Sequence, residues 1–187
     1  PASGQGKTTI TAALARLLRN QGKVVRIVKT GPDYLDPQIL EQASGQPVQQ
    51  LDLWMAGDEY CQQMFYQAAC EADLILVEGA MGMFDGDPSS ADLAARFGIP
   101  MALVMDVKGM AQTAAAVATG MANFRDNVQV MGLIANNCST ARHRELIELA
   151  LPESLPLWLN VPKSEEAALP ERHLGLVQAS EIRAELE

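Results

Sequence analysis

Two rhythms of apolar and polar positions alternate along this chain. Short, almost unbroken apolar runs predict strands over residues 24–29, 74–77, 101–105 and 130–135, with a further strand over 155–159. Between them, apolar residues recur at helical spacing. They predict helices over 8–20 (ended by Gly22), 37–43, 59–69, 90–97 (ended by Gly98), 111–123 and 141–149. Strands that are apolar on both faces and alternate with helices belong to a parallel sheet with crossover helices, an α/β architecture. After residue 159 the pattern turns polar and is broken by Pro162 and Pro170, before an acidic helical stretch over 180–187. Residues 1–160 therefore read as one domain and 161–187 as its end and the approach to a linker.

The first helix gives that architecture a chemistry. Pro1-Ala-Ser-Gly-Gln-Gly-Lys-Thr-Thr9 leads directly into Ile10, Ala13, Leu14, Leu17 and Leu18, so a glycine-rich turn opens an amphipathic helix. This is the pattern of a phosphate-binding loop. Backbone N–H groups of Ser3, Gly4, Gln5 and Gly6 can cradle phosphate oxygens at a helix N-terminus, Lys7 can reach the β- and γ-phosphates, and the Thr8 hydroxyl can ligate Mg²⁺, with Thr9 next to it. The fold expected is that of P-loop nucleotide hydrolases. Pro1 stands where the usual pattern has its first glycine, and no strand precedes the loop. Such a loop needs an anchoring strand, so the chain is expected to extend upstream.

Composition narrows the partners. The chain has 187 residues, is 48% hydrophobic and carries a net charge of −9. An acidic balance of this kind argues against nucleic acid or an acidic membrane surface. An anionic nucleotide must then be held by a local pocket of lysine, Mg²⁺ and backbone donors. No apolar run approaches the ~20 residues of a membrane span, and no secretory signal opens the chain. Cys61, Cys70 and Cys138 have neither metal-ligand nor CxxC spacing and read as half-buried reduced thiols of a cytoplasmic protein.

Ligands of such folds bind beyond the carboxyl ends of the strands, and four polar clusters fall there, expected to face the loop. They begin at Lys29, Glu78, Asp106 and Asn136. Glu78 either ligates Mg²⁺ or caps a neighbouring helix. Asp33 either ligates or serves turn geometry, and Asp36 either ligates or caps the helix that follows it. Lys29 either neutralises charge on a transferring phosphoryl group or is a solvated edge lysine. Asp85 either orients a nucleophile or intermediate or shapes its turn. Asn136 either reads an adenine edge or caps its strand. His143 and His173 show no triad pattern and are expected in surface or structural roles, and Trp54 and Met55 are expected to pack.

Longer segments carry a resemblance. Ser3-Gly-Gln-Gly-Lys-Thr-Thr9, Lys29-Thr-Gly-Pro-Asp-Tyr-Leu-Asp-Pro37, Leu51-Asp-Leu-Trp-Met55, Val77-Glu-Gly-Ala-Met-Gly-Met-Phe-Asp-Gly86, Ser90-Ala-Asp-Leu-Ala94 and Leu169-Pro-Glu-Arg-His-Leu-Gly-Leu-Val177 run in order over nearly the whole chain. Together they resemble the synthetase domain of the cobyrinic and hydrogenobyrinic acid a,c-diamide synthases, which is similar in fold to dethiobiotin synthetase. The resemblance implies an ATP- and Mg²⁺-dependent carbon–nitrogen ligase of cobalamin biosynthesis. It would amidate the a and c carboxylates of a corrin ring through acyl phosphates.

Carried over by position, the resemblance implies that Lys7 and Thr8 hold phosphates and Mg²⁺, that Asp33 and Glu78 complete the metal shell, and that Lys29 bridges the γ-phosphate and the substrate carboxylate. Tyr34, Asp36 and Asp85 would lie on the substrate side, and Asn136 would face adenine. The family's C-terminal glutamine amidotransferase domain, which supplies ammonia, is not expected within these residues, because no cysteine here sits in a glycine-rich elbow. Homodimerisation is left open. The rival readings are a dethiobiotin-synthetase-like ligase, disfavoured by the Gly31-Pro-Asp-Tyr-Leu-Asp-Pro37 run, and a partitioning-type regulatory ATPase, which expects a second lysine where Pro1-Ala-Ser3 stands.

Overall fold

The computed structural model describes residues 1–31 and 36–163. The expectations for Asp33, Tyr34, His173 and the helical stretch over 180–187 lie outside the described residues. The described residues divide into two compact units: Lys7–Ala80, and Pro1–Gly6 together with 81–163.

In the Lys7–Ala80 unit, α1 (Lys7–Asn20), β1 (Val25–Thr30), α2 (Asp36–Ser44), β2 (Gln49–Leu51), α3 (Leu53–Ala56), α4 (Asp58–Glu71) and β3 (Leu74–Glu78) follow in order. The strands form a parallel sheet in the order β2-β1-β3. Val25, Ile27 and Val28 are buried, and Ala12 and Ala15 of α1 with Leu40 and Ala43 of α2 complete the core around Val25 and Ile27. Burial on this scale is why β1 shows no period-two alternation. Two short elements escaped the sequence pattern. β2 has three residues and α3 four, both too short to display a period. The single turn of α3 forms because Asp52 accepts the backbone N–H groups of Trp54 and Met55. It buries nothing, so the expectation that Trp54 and Met55 pack is corrected: they are 89% and 74% exposed.

The other unit contains α5 (Ser90–Phe97), β4 (Met101–Asp106), α6 (Gln112–Ala122), β5 (Val130–Asn136), α7 (Ala141–Ala150) and β6 (Leu157–Val161). Its strands are again parallel, in the order β4-β5-β6. The core gathers Leu103, Met105 and Val107 with Leu133, Ala135, Ala114, Ala118, Ile147 and Leu155. Helix α5 starts on a reciprocal cap. Ser89 Oγ accepts from Asp92 N while the Asp92 carboxylate accepts from Ser89 N. It stops at Gly98, whose left-handed backbone (φ +63°) lets its N–H reach the Ala94 carbonyl.

Among the described residues the strands pair only in parallel, as the α/β reading requires, and six strands group into two three-stranded sheets. The strand that the sequence places at 155–159 begins two residues later, because Leu155 N closes a turn onto the Pro152 carbonyl. The thiols differ from the half-buried expectation: Cys61 and Cys138 are buried and Cys70 is exposed. Burial holds the Cys61 and Cys138 thiols above the ordinary range, so neither is poised as a nucleophile.

Candidate active site

Strand register builds the first polar cluster. Lys29 and Glu78 are Cα partners in β1 and β3, so both side chains emerge on the same face at the carboxyl end of the sheet. Lys29 Nζ donates to Glu78 Oε1 at 2.7 Å and to Asp36 Oδ2, from the first turn of α2, at 3.2 Å. Thr8, in the first turn of α1, has its Oγ1 2.7 Å from Glu78 Oε1 and 3.2 Å from Asp36 Oδ2. A hydroxyl has one proton, and the shorter contact assigns it to Glu78. Thr30 Oγ1 accepts from Ala80 N at 2.8 Å and fixes the turn out of β3.

Charge and burial make this cluster unusual. Lys29, Glu78 and Asp36 are all buried, and taking such charges out of water costs several kcal/mol each unless they are paired. Burial pulls the Lys29 pKa down, but the Glu78 and Asp36 charges, with their hydrogen bonds, outweigh it and hold the ammonium above its ordinary value. The half-buried Lys7 goes the other way. Burial lowers its pKa, Lys29 adds to the effect, and Glu78 and Asp36 offset only part of it. Glu78 Oε2 is buried with no hydrogen-bond partner. A buried carboxylate oxygen left unmatched is costly, and it is the clearest chemical signal in this unit.

That donor set fits Mg²⁺. A hard cation takes oxygen ligands, and Mg²⁺ is typically held by one or two carboxylates together with phosphate oxygens and water. Glu78 Oε2 and the Thr8 hydroxyl have this chemistry. Among the described residues, no group of three or more His, Cys, Asp or Glu side chains could hold a metal ion, so the described protein residues form no complete cage.

The second cluster lies at the carboxyl end of the other sheet, where Asp106 and Asn136 are register partners in β4 and β5. Gln5 of the glycine-rich loop accepts from Asp106 N through Oε1 (2.9 Å), and its carbonyl accepts from Asn136 Nδ2 (3.1 Å). Asn137 Nδ2 donates to Asp106 Oδ2 (2.8 Å). Gly6 has φ +86°, and a Cβ there would run into the Asn136 amide, so glycine is favoured on two counts. Ser3 and Gly4 are exposed and Thr9 is half-buried.

Asp85 is exposed, in the loop between β3 and α5. It folds back on Gly82, where a Cβ would meet Asp85 Oδ2 and the Pro1 carbonyl. The same loop is fastened by Ala91 N donating to the Met83 carbonyl, and by Arg125, which stacks over Phe84 and pairs with Asp92. His143 has a structural role: Nε2 meets the Met110 carbonyl and Nδ1 lies near Ser139.

The structure therefore brings Thr8, Lys29, Asp36 and Glu78 together in one unit, and Gln5, Gly6 and Asn136 in the other. Sequence reasoning did not assign Asp106 and Asn137 as supports of the loop. The signal available was their place at the ends of apolar strands. Arg125 and Asp92, 33 residues apart, left no sequence signal.

A parallel α/β fold, with a glycine-rich turn opening a helix and a lysine bridging buried carboxylates at a sheet's carboxyl end, defines a P-loop nucleotide-binding protein. Over residues 1–177 the chain matches the CobQ/CobB/MinD/ParA nucleotide binding domain, and it belongs to that family. It is 56% identical to the hydrogenobyrinate a,c-diamide synthase of Stutzerimonas stutzeri, over 97% of this chain and 42% of the relative. It is 53% identical to the protein of the same name from Pseudomonas aeruginosa, with the same coverage. A cobyrinate a,c-diamide synthase of Herminiimonas arsenicoxydans is 52% identical over 97% of this chain and 41% of the relative. The chain thus spans about two fifths of the length of these curated relatives. No helix among the described residues is long and apolar enough to cross a membrane.

Proposed function

We propose that this chain carries the ATP-dependent half of an a,c-diamide synthase, in which two peripheral carboxylates of a corrin ring become carboxamides. The observation that carries the reading is the buried, unpartnered Glu78 Oε2 beside Thr8 and Lys29, in a chain whose relatives bear that name. Thr8, Glu78 and Asp33 would hold Mg²⁺, which when bound neutralises charge on the β- and γ-phosphate oxygens.

The chain's own residues then do the positioning. Lys7 holds the phosphates. Glu78 would help hold the metal, and Lys29 would turn its charge to the γ-phosphoryl oxygens and the incoming carboxylate. A substrate carboxylate oxygen attacks the γ-phosphorus and ADP leaves. Ammonia then attacks the acyl carbon and phosphate leaves. Asp36, Asp85 and Tyr34 would serve the substrate. Chemistry of this kind needs placed cations and backbone donors rather than a nucleophile–base pair, and the described site offers those groups. In the whole protein ammonia would come from glutamine.

The test is ATP turnover with the corrinoid diacid. ADP should form in step with carboxamide. ATP hydrolysis that a surface or partner protein stimulates, with no corrinoid product, would favour a regulatory ATPase. A requirement for diaminopelargonate and bicarbonate would favour a dethiobiotin-synthetase-like ligase.

A further inference from the structure

The ends of β4 and β5 grip one residue of the glycine-rich loop, Gln5, by its side chain and by its carbonyl. Asp106 N donates to the Gln5 side chain, and the Asn136 side chain donates to the Gln5 carbonyl. Asp106 is itself steadied by Asn137 Nδ2 on one carboxylate oxygen and by Lys108 N on the other. Because a trans peptide points its C=O and the next N–H in opposite directions, a Gln5 carbonyl held toward Asn136 turns the Gly6 N–H away from Asn136. In a phosphate loop that N–H is one of the anion-binding donors. Flipping the peptide would replace a donor with a carbonyl oxygen facing the phosphate.

We propose that Asn136 is a positioning residue for the phosphate loop, with Gln5 as its counterpart: together they fix the Gln5–Gly6 peptide in its phosphate-binding orientation before the ligand arrives. The assignment rests on the nucleotide-binding reading of the loop. The other role expected of Asn136 is reading adenine. Asn136 Nδ2 carries two hydrogens, of which one goes to Gln5, so ligand binding has to separate the two roles.

A ligand without a base separates the two roles. Binding of MgATP and of magnesium tripolyphosphate would be measured by calorimetry in the wild-type protein, Asn136→Ala, Gln5→Ala and Lys7→Met. Loss of one net hydrogen bond predicts that Asn136→Ala and Gln5→Ala each weaken both ligands by the same factor, about threefold to tenfold. By NMR, the Gly6 amide should respond to tripolyphosphate in the wild type and lose that response in Asn136→Ala. Loss confined to ATP would restore the adenine role and overturn the proposal, as would unchanged tripolyphosphate affinity in both variants. Should Asn136→Ala fail to fold, Gln5→Ala, on the loop, decides alone. If Lys7→Met abolishes binding while Asn136→Ala and Gln5→Ala retain it, only the positioning role fails. If Lys7→Met binds tripolyphosphate as the wild type does, the phosphate-loop reading itself fails.

Discussion

Lys29 and Glu78 face each other across neighbouring parallel strands, and their side chains meet at 2.7 Å in a buried site. The pair is asymmetric. One ammonium serves two carboxylates, Glu78 and Asp36, while the second Glu78 oxygen stays without a partner. A buried carboxylate oxygen without a partner is poor for stability and well suited to a cation.

Removing the ammonium should therefore cost more than removing the pair. Lys29→Met leaves Glu78 and Asp36 facing each other in the interior and is expected to destabilise the protein by about 3–5 kcal/mol. The double variant Lys29→Met/Glu78→Gln should recover a large part of that. Urea unfolding of the two variants checks it, and a double variant no more stable than Lys29→Met would contradict it.

Glu78→Gln keeps the shape and removes the charge. Nucleotide binding should then lose most of its Mg²⁺ dependence, measured by calorimetry with and without the metal. A wild-type Mg²⁺ titration in this variant would reduce Glu78 to a structural partner of Lys29.

Lys7 gives a pH signature. Burial holds its pKa below the ordinary lysine value of 10.5, so its positive charge, and the phosphate affinity it supplies, is complete at low pH. That affinity is lost as pH rises through the lowered value. The decline should begin at a lower pH than an exposed lysine would give. Lys29 has the opposite sign: its raised pKa means that the stability it contributes is present below the unfolded lysine value and is lost only as pH rises through the higher folded one. Nucleotide affinity should thus fail before the fold does, a sequence that parallel calorimetry and circular dichroism against pH can follow.

Ser89 is buried at the start of α5, where its hydroxyl accepts from Asp92 N at 3.2 Å and donates to Asp92 Oδ2 at 2.6 Å. Ser89→Ala should cost about 1 kcal/mol in thermal or urea unfolding. No loss would mean that the Asp92 carboxylate, held by Ser89 N and Arg125, suffices for that helix start.

Much of this was legible before any coordinates. Apolar runs located β1, β3, β4 and β5, because strands buried on both faces carry a strong local signal. Glycines and caps marked where α1 and α5 stop. Thr8, Lys29, Asp36 and Glu78 were each nameable as strand-end or loop residues. What a sequence pattern could not carry was partnership. Lys29 meeting Glu78 follows from the register of β1 against β3, and Asn136 gripping Gln5, 131 residues away, follows from the carboxyl end of β5 meeting the loop. The turn of α3 was lost for a different reason: four residues cannot show a helical period, and its exposed Trp54 looked like a packing residue by type alone.

Mass spectrometry of the corrinoid tests the central claim most directly. With MgATP, ammonium and cobyrinic or hydrogenobyrinic acid, each conversion of carboxyl to carboxamide exchanges OH for NH₂, and the mass falls by that difference as ADP appears. The account predicts two such steps, both abolished by Lys7→Met. ADP formation with no change in corrinoid mass, from protein that binds ATP normally, would contradict it.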